Sequence, residues 1–425
     1  MGSIMADTVM QELQMAEISL AKVPDVTELQ KEAAKLVEDI RTDISVKDRV
    51  EKALTVINEK ADYEITPQLV QETDDMVNEF GGLKVKAGGR ISVDGMESFG
   101  LTVTPKEWRV SRVAGLESFL ADTYRNIKRM ANQLSDTFER RYTELTTSLE
   151  VLDTRIENVT SMLDSVTQQR DGKKQVELNG LLVRAMTKGT EPLPSDLAKH
   201  IVKEVNYFSS VMKLCEMELG RYRGNIIRYF GNNKLKELNN VTFSAPKILN
   251  FNGKVDPKEE NVFIRSESAP MLEGRVVSCK FVAPRWLKDH YVGESENDTY
   301  SELLAETGFE LRAVNRKDSG SVNVNTMTLS QMFTILKVVQ ELVEYIRNLN
   351  NEYNSLDLNP EEIKDNLVTL KRGDDEGKVR QYALLTTDYD YKVNLFRAEV
   401  SNYLTVLSSH LLTLLTVHLE CYDVQ

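Results

Sequence analysis

The stretch "FERRYTELTTSLEVLDTRIENVTSMLDSV", residues 138–166, decides the fold class. Its apolar residues are Phe138, Tyr142, Leu145, Leu149, Leu152, Ile156, Val159, Leu163 and Val166, and they recur at alternating spacings of four and three. On a helix of 3.6 residues per turn, that alternation puts every one of them on a single face. The spacing predicts one continuous helix from Phe138 to Val166, buried against another helix of this chain or of a second copy.

Similar patterns flank this stretch on both sides. Leu29, Ala33, Leu36 and Ile40 form a stripe behind "TELQ", Thr27–Gln30, which reads as a capping box. The first 80 residues read as short helices, one of them opened by Thr66 as cap and Pro67 in the first turn. "TPKE", Thr104–Glu107, caps a short helix that Gly115 interrupts, and a new helix begins near Ser118, itself a suitable N-cap. Gly172 in "RDGKK" suits a left-handed helix end, and the next helix starts at Ser195 and runs past Cys215 toward Tyr229. "TLSQ", Thr328–Gln331, is another capping box, followed by Leu329, Met332, Leu336, Val339, Val343 and Ile346. Asn359 caps a further helix, and the last helix spans about Tyr391 to Glu420. Between them, residues 233–290 turn β-branched and aromatic, with Pro, Gly and Asn as punctuation, so strands are expected only between 233 and 325.

The fold class that follows is mainly α, about two-thirds helix. It has long helices in a coiled-coil-like hairpin or bundle and a small β-containing insertion around 233–325. Four regions are expected: an acidic helical leader, 1–97; a long-helix region, 98–232; a mixed β and loop insertion, 233–325; and a C-terminal helical region packing on the core, 326–425.

Charge marks out the first of these. The chain of 425 residues carries a net charge of −13, and residues 1–97 hold −9 of it, with 20 Asp and Glu against 11 Lys and Arg. A global basic field for nucleic acid is therefore excluded. Cys215, Cys279 and Cys421 are odd in number and lack metal-ligand spacing, which suits reduced thiols in a cytosol-like compartment. The N-terminus lacks the apolar core of a signal peptide. Val400–Leu419 holds no Asp, Glu, Lys or Arg, yet it contains His410, His418 and several hydroxyls, so it reads as a buried helix and not a membrane span.

Motifs for catalysis are missing. There is no phosphate-cradling glycine loop, no H-E-x-x-H and no G-x-S-x-G. His200 and Cys215 on one helix would lie about 22 Å apart, too far for a dyad. No catalytic, cofactor-binding or metal-binding set is assigned, and no cofactor is expected. One local basic cluster, Arg221, Arg223, Arg228, Lys234 and Lys236, is interleaved with Tyr222, Tyr229 and Phe230. It reads either as a contact to nucleic-acid backbone or as cations that complement a helix C-terminus.

A pentapeptide occurs twice: Gly-Met-Glu-Ser-Phe ends at Phe99 and Gly-Leu-Glu-Ser-Phe ends at Phe119. Two similar helix entries would explain it, because carboxylates favour the positive end of a helix. The looser pattern of a small residue two before Glu recurs at Glu150, Glu191 and Glu310, so that pattern alone carries little. The first copy sits at the downstream edge of "GGLKVKAGGRISVDG", residues 81–95, whose five glycines make it the best linker in the chain.

"GMESFGLTVTP", "SRVAGLESFLADTYRNIKRM" and the acidic leader before them resemble the internal head proteins of phiKZ-like giant bacteriophages. The resemblance is close over roughly residues 75–170 and general elsewhere. It implies a non-enzymatic structural protein, made in the bacterial cytoplasm and packed inside the capsid with other inner-head proteins and the genomic DNA. It also implies a leader removed by a phage prohead protease that cuts after Glu, so Glu97–Ser98 and Glu117–Ser118 become the candidate scissile bonds. Glu97 adjoins an accessible linker, whereas Glu117 abuts a helix. Contact with DNA would run through the basic cluster, and pairing of copies through the heptad helix. The alternative is a coiled-coil adaptor or assembly protein, of a tail or a cell, that is not processed.

Overall fold

The computed structural model describes residues 26–66, 68–69, 72, 105–188, 193–230, 263–282, 308–314, 320–353 and 376–424. Helix accounts for 75% of these residues. The chain forms two compact units, each assembled from separate stretches of sequence: one from 1–30, 138–357 and 388–425, the other from 31–137 and 358–387.

The second unit contains a long helical hairpin. Helix α1 is Val26–Glu59 and helix α2 is Pro105–Asp164, which contributes its first half, to Thr137, here. The contacts between them run in opposite directions along the two helices. Glu32 meets Thr137, Ile40 packs with Ile127 and Met130, Tyr124 donates to Glu51, and Arg109 reaches Asp62. The pairing is therefore antiparallel. Its core holds Val46, Val50, Ala53, Ile57, Ile65 and Leu69 on one side and Trp108, Leu116 and Leu120 on the other. Thr66 caps the turn after α1 by accepting from the Leu69 N–H at 3.2 Å.

Several expectations about this region are corrected. Among the described residues, Val26–Glu59 is one helix of 34 residues, longer than the short helices expected there. Thr27 lies inside α1 and does not cap it. The Gln30 side chain bonds Glu399 instead of closing a capping box. Helix α2 begins at Pro105 as expected, but Gly115 does not break it and Ser118 is not its cap. One glycine costs a helix about 1 kcal/mol, and burying Trp108, Leu116 and Leu120 on either side outweighs that.

The first unit is a bundle with small sheets. It contains the second half of α2, the short helix α3 (Gly180–Ala185), α4 (Leu197–Phe230), α5 (Leu329–Tyr353) and α6 (Glu376–Leu419) from residue 388 onward. The predicted stripe is buried at Phe138, Leu145, Leu149, Leu152, Ile156, Val159 and Leu163. The helix stops at Asp164, however, so Val166 opens strand β1 (Val166–Gln169) and does not extend the stripe. The backbone of Gly172 is left-handed, at φ 80°, in the turn after β1 and not at a helix end.

Strands β2 (Gln175–Leu178), β3 (Phe263–Glu267), β4 (Arg275–Val282), β5 (Gly308–Ala313), β6 (Val322–Asn325) and β7 (Tyr422–Val424) complete the described elements. β3, β4 and β5 form one antiparallel sheet inside the expected window. β1 pairs with β7 and β2 with β6, also antiparallel, so strands occur outside 233–325 as well. These three extra strands are three or four residues long, too short to leave a periodic signal. Residues around Asn359, where another helix was expected, lie outside the described ones.

Helix α6 is the centre of this unit. From Tyr391 to Leu419 it is long and apolar enough to cross a membrane, but 78% of its most apolar window is buried within the fold. A helix that is apolar all round belongs in a core. Phe208 of α4 stacks on Tyr403 at 5.1 Å, and the Tyr403 hydroxyl donates to the Leu272 carbonyl. Helix α4 also packs on α5, whose first turn carries the predicted capping box. There Gln331 N–H donates to the Thr328 hydroxyl, and Thr328 N–H donates to the Gln331 side chain.

Candidate functional site

The described residues include only part of each set that the sequence analysis had grouped. Glu97 and Ser98 lie outside the described residues. Glu117 and Ser118 are exposed, but their backbone lies within the helical run of α2, between buried Leu116 and Leu120. An enzyme that cuts an extended chain would have to unwind α2 there and pull those two leucines out of the hairpin. Arg221, Arg223 and Arg228 belong to the last three turns of α4, whereas Lys234 and Lys236 lie outside the described residues. On the backbone, the arginines stand at a helix C-terminus, where cations complement the dipole.

No group of three or more His, Cys, Asp or Glu side chains among the described residues is placed to hold a metal. The three cysteines form no disulfide and are buried. A groove of about 570 Å³ between α2 and α5 is lined by Glu157, Asp164, Thr160, Ser161 and Gln340, and the Thr160 hydroxyl donates to the Ile156 carbonyl of its own helix.

The unusual electrostatics lie inside the bundle, on α6. Arg155 is fully buried and donates to the Ser409 hydroxyl at 2.7 Å, the Ser409 carbonyl at 3.3 Å and the Thr413 hydroxyl at 3.1 Å. Buried Glu273 and His410 meet at 2.5 Å. Burial pushes the Glu399 carboxyl up to about 7, helped by neighbouring Glu310. The Leu311 N–H, the Gln30 amide and Arg275 oppose that rise. Burial pushes His418 down to about 4, so its neutral ring accepts the Met327 N–H at Nδ1. The Met327 carbonyl in turn accepts from Tyr422 at 2.6 Å. These bonds fix the rotation and register of α6, since a shift would strand a buried polar group at about 1–3 kcal/mol each.

The sequence analysis missed this network, although its signal was present. Arg155 interrupts the apolar face between Leu152 and Ile156, and Glu399 stands one residue before the uncharged run of the last helix.

The hairpin is held differently. Its core is mainly apolar, and each fully buried Leu, Ile, Val or Trp contributes on the order of 2 kcal/mol relative to exposure. Lys47, which pairs with Glu51, and Arg112 are buried within it, whereas Arg109 and Asp62 keep 28% and 43% of their side chains exposed. Residues 26–59 carry eight acidic and six basic side chains, and 105–137 carry six basic and four acidic, so the facing segments have net charges of −2 and +2. Asp43 rises to about 6 through burial and the nearby Asp39, while Arg129 of α2 opposes the rise.

No curated protein and no solved structure shows significant similarity to the chain. A family model, phiKZ-like phage internal head proteins, matches residues 21–423, which is nearly the whole sequence and includes both halves of the hairpin and all of the bundle. The chain belongs to the phiKZ-like phage internal head proteins, structural components of the virion made in the host cytoplasm and located inside the capsid.

Proposed function

We propose that this protein is a non-enzymatic building block of the inner head, and that residues 1–97 are a leader removed by the phage prohead protease as the head matures. The observation that carries this reading is the unequal setting of the two pentapeptides. Glu117–Ser118 lies inside a 60-residue helix, about three turns from its start, which leaves Glu97–Ser98, next to the glycine-rich 81–95 segment, as the bond to cut. Recognition of Glu97 would use a charge-assisted hydrogen bond to its carboxylate. Co-expression with the phage's prohead protease tests this. Glu97→Gln should leave the chain whole, and Glu117→Gln should be cut as the native chain is. Cutting that persists in Glu97→Gln and stops in Glu117→Gln would reverse the assignment.

Within the head, the partners are other inner-head proteins. Contact with DNA through Arg221, Arg223, Arg228, Lys234 and Lys236 would be local. Removing residues 1–97 changes the net charge from −13 to −4, so the body still repels the phosphate backbone overall. Pairing of copies through the heptad face has less support, because that face is already buried in the bundle.

The second reading, an unprocessed coiled-coil assembly protein, draws on one observation. The proposed leader is packed along α2, with Trp108, Leu116, Leu120 and Ile127 buried in the hairpin. Losing it would bare an apolar face, and a protein meant to shed its leader needs a way to cope with that.

A further inference from the structure

We infer that the first half of α2, residues 105–137, is a docking surface for an acidic, antiparallel amphipathic helix, and that its occupant in the cut protein is the leader's own residues 26–69, held as a separate chain. This deepens the proposed leader removal and rests on that reading.

Three features of the hairpin point to the leader as the occupant. First, the seam is apolar and continuous: Val46, Val50, Ala53, Ile57, Ile65 and Leu69 close over Trp108, Leu116 and Leu120, and Ile40 closes over Ile127 and Met130. None of these contacts depends on the covalent link between the two helices, so cutting at 97–98 leaves all of them in place. Second, charge selects the partner. The 105–137 segment has a net charge of +2, so a second copy of it would bring like charge, whereas residues 26–59 bring −2. The edge contacts repeat this pattern, with Arg109 on Asp62 and Arg129 near Asp43. Third, the leader's start has its own anchor. The Gln30 amide donates to the buried Glu399 carboxylate, which also accepts the Leu311 N–H at 2.8 Å. Departure of the leader would remove one of the hydrogen bonds that keep that carboxylate satisfied.

Cutting and release are thus two separate events. The cut makes the leader exchangeable, and any other acidic amphipathic helix that docks on 105–137 must first displace it.

The test uses the full chain with a recognition sequence for a site-specific protease inserted between Gly88 and Gly89. The purified protein is cut to completion, checked on a denaturing gel, and examined by native mass spectrometry and gel filtration. Leader and body should travel as one complex. In the cut Ile127→Asp variant, which buries a charge in the seam, they should separate, while the uncut variant stays folded by circular dichroism. A leader that elutes alone from the cut native chain overturns the inference, and so does a cut body that pairs with a second body. Because the engineered cut does not need the phage protease, this outcome is independent of whether Glu97–Ser98 is the natural site.

Discussion

The bundle and the hairpin bury amphipathic helices with different materials. In the bundle, polar groups are inside: Arg155 on Ser409 and Thr413, Glu273 on His410, and Glu399 on the Leu311 N–H. Withdrawing any one helix would leave a buried charge or dipole without its partner. In the hairpin, the core is mainly apolar, with Lys47 beside Glu51 and Arg112 as buried charges, while the Arg109–Asp62 pair keeps access to water. Opening that seam would chiefly bare apolar surface. The difference teaches what each region would lose on opening: directed buried polar bonds in the bundle and mostly apolar contact in the hairpin.

The largest effect should come from putting a charge into the bundle. Leu152 is fully buried on the heptad face, so Leu152→Asp should destabilise the protein by about 5 kcal/mol in urea unfolding. An unchanged transition would mean that the stripe is not a core. In the hairpin, Trp108→Ala should cost about 3 kcal/mol and be felt mainly there. Hydrogen exchange should quicken over residues 26–69 and 105–137 while α6 stays protected. Equal loss of protection in α6 would merge the two regions into one cooperative block.

How much of this contrast could be read from sequence depends on how far each signal extends. The long stripes were legible because seven or more apolar residues in register leave few alternatives, and the capping box at Thr328 was legible because both partners are local. Helix α2 was split wrongly at Gly115 because local propensity favoured a break, and only the distant partner α1 outweighs it. The short strands β1, β2 and β7 exist through their pairing partners, which lie over 100 residues away. Of the candidate site, the sequence showed the repeated Glu-Ser pair but not that α2 encloses its second copy.

A pH titration sharpens the electrostatic side of the comparison. The folded pKa of Glu399, about 7, lies above its ordinary 4.5. Its contribution is therefore fully present below about 4.5 and is lost as pH rises through about 7. Glu399→Gln should flatten that limb and make the protein more stable than the native chain at pH 8, by on the order of 2 kcal/mol. His418 runs the other way. Its pKa, about 4, is below 6.5, so its contribution is present above 6.5 and lost as pH falls toward 4. In Glu399→Gln, the remaining dependence below pH 6.5 should combine that sign with the opposite one of Asp43, whose raised pKa of about 6 removes stability as pH rises from 3.8 through about 6. A variant as pH-sensitive as the native chain above pH 5 would remove Glu399 from the account.

The smallest effect tests local structure alone. Thr328→Ala removes the cap of α5 and should cost about 1 kcal/mol, with no change in hairpin exchange. A loss several times larger would mean that Thr328 does more than cap.

The central claim is that the virion contains a processed chain whose bundle and half of whose hairpin begin at Ser98. The most direct measurement is the intact mass of this protein taken from purified particles. The account predicts the mass of residues 98–425, without the full-length species. Finding only the full chain, with Met1 or Gly2 still attached, would contradict it, and the repeated pentapeptide would then be a coincidence of composition.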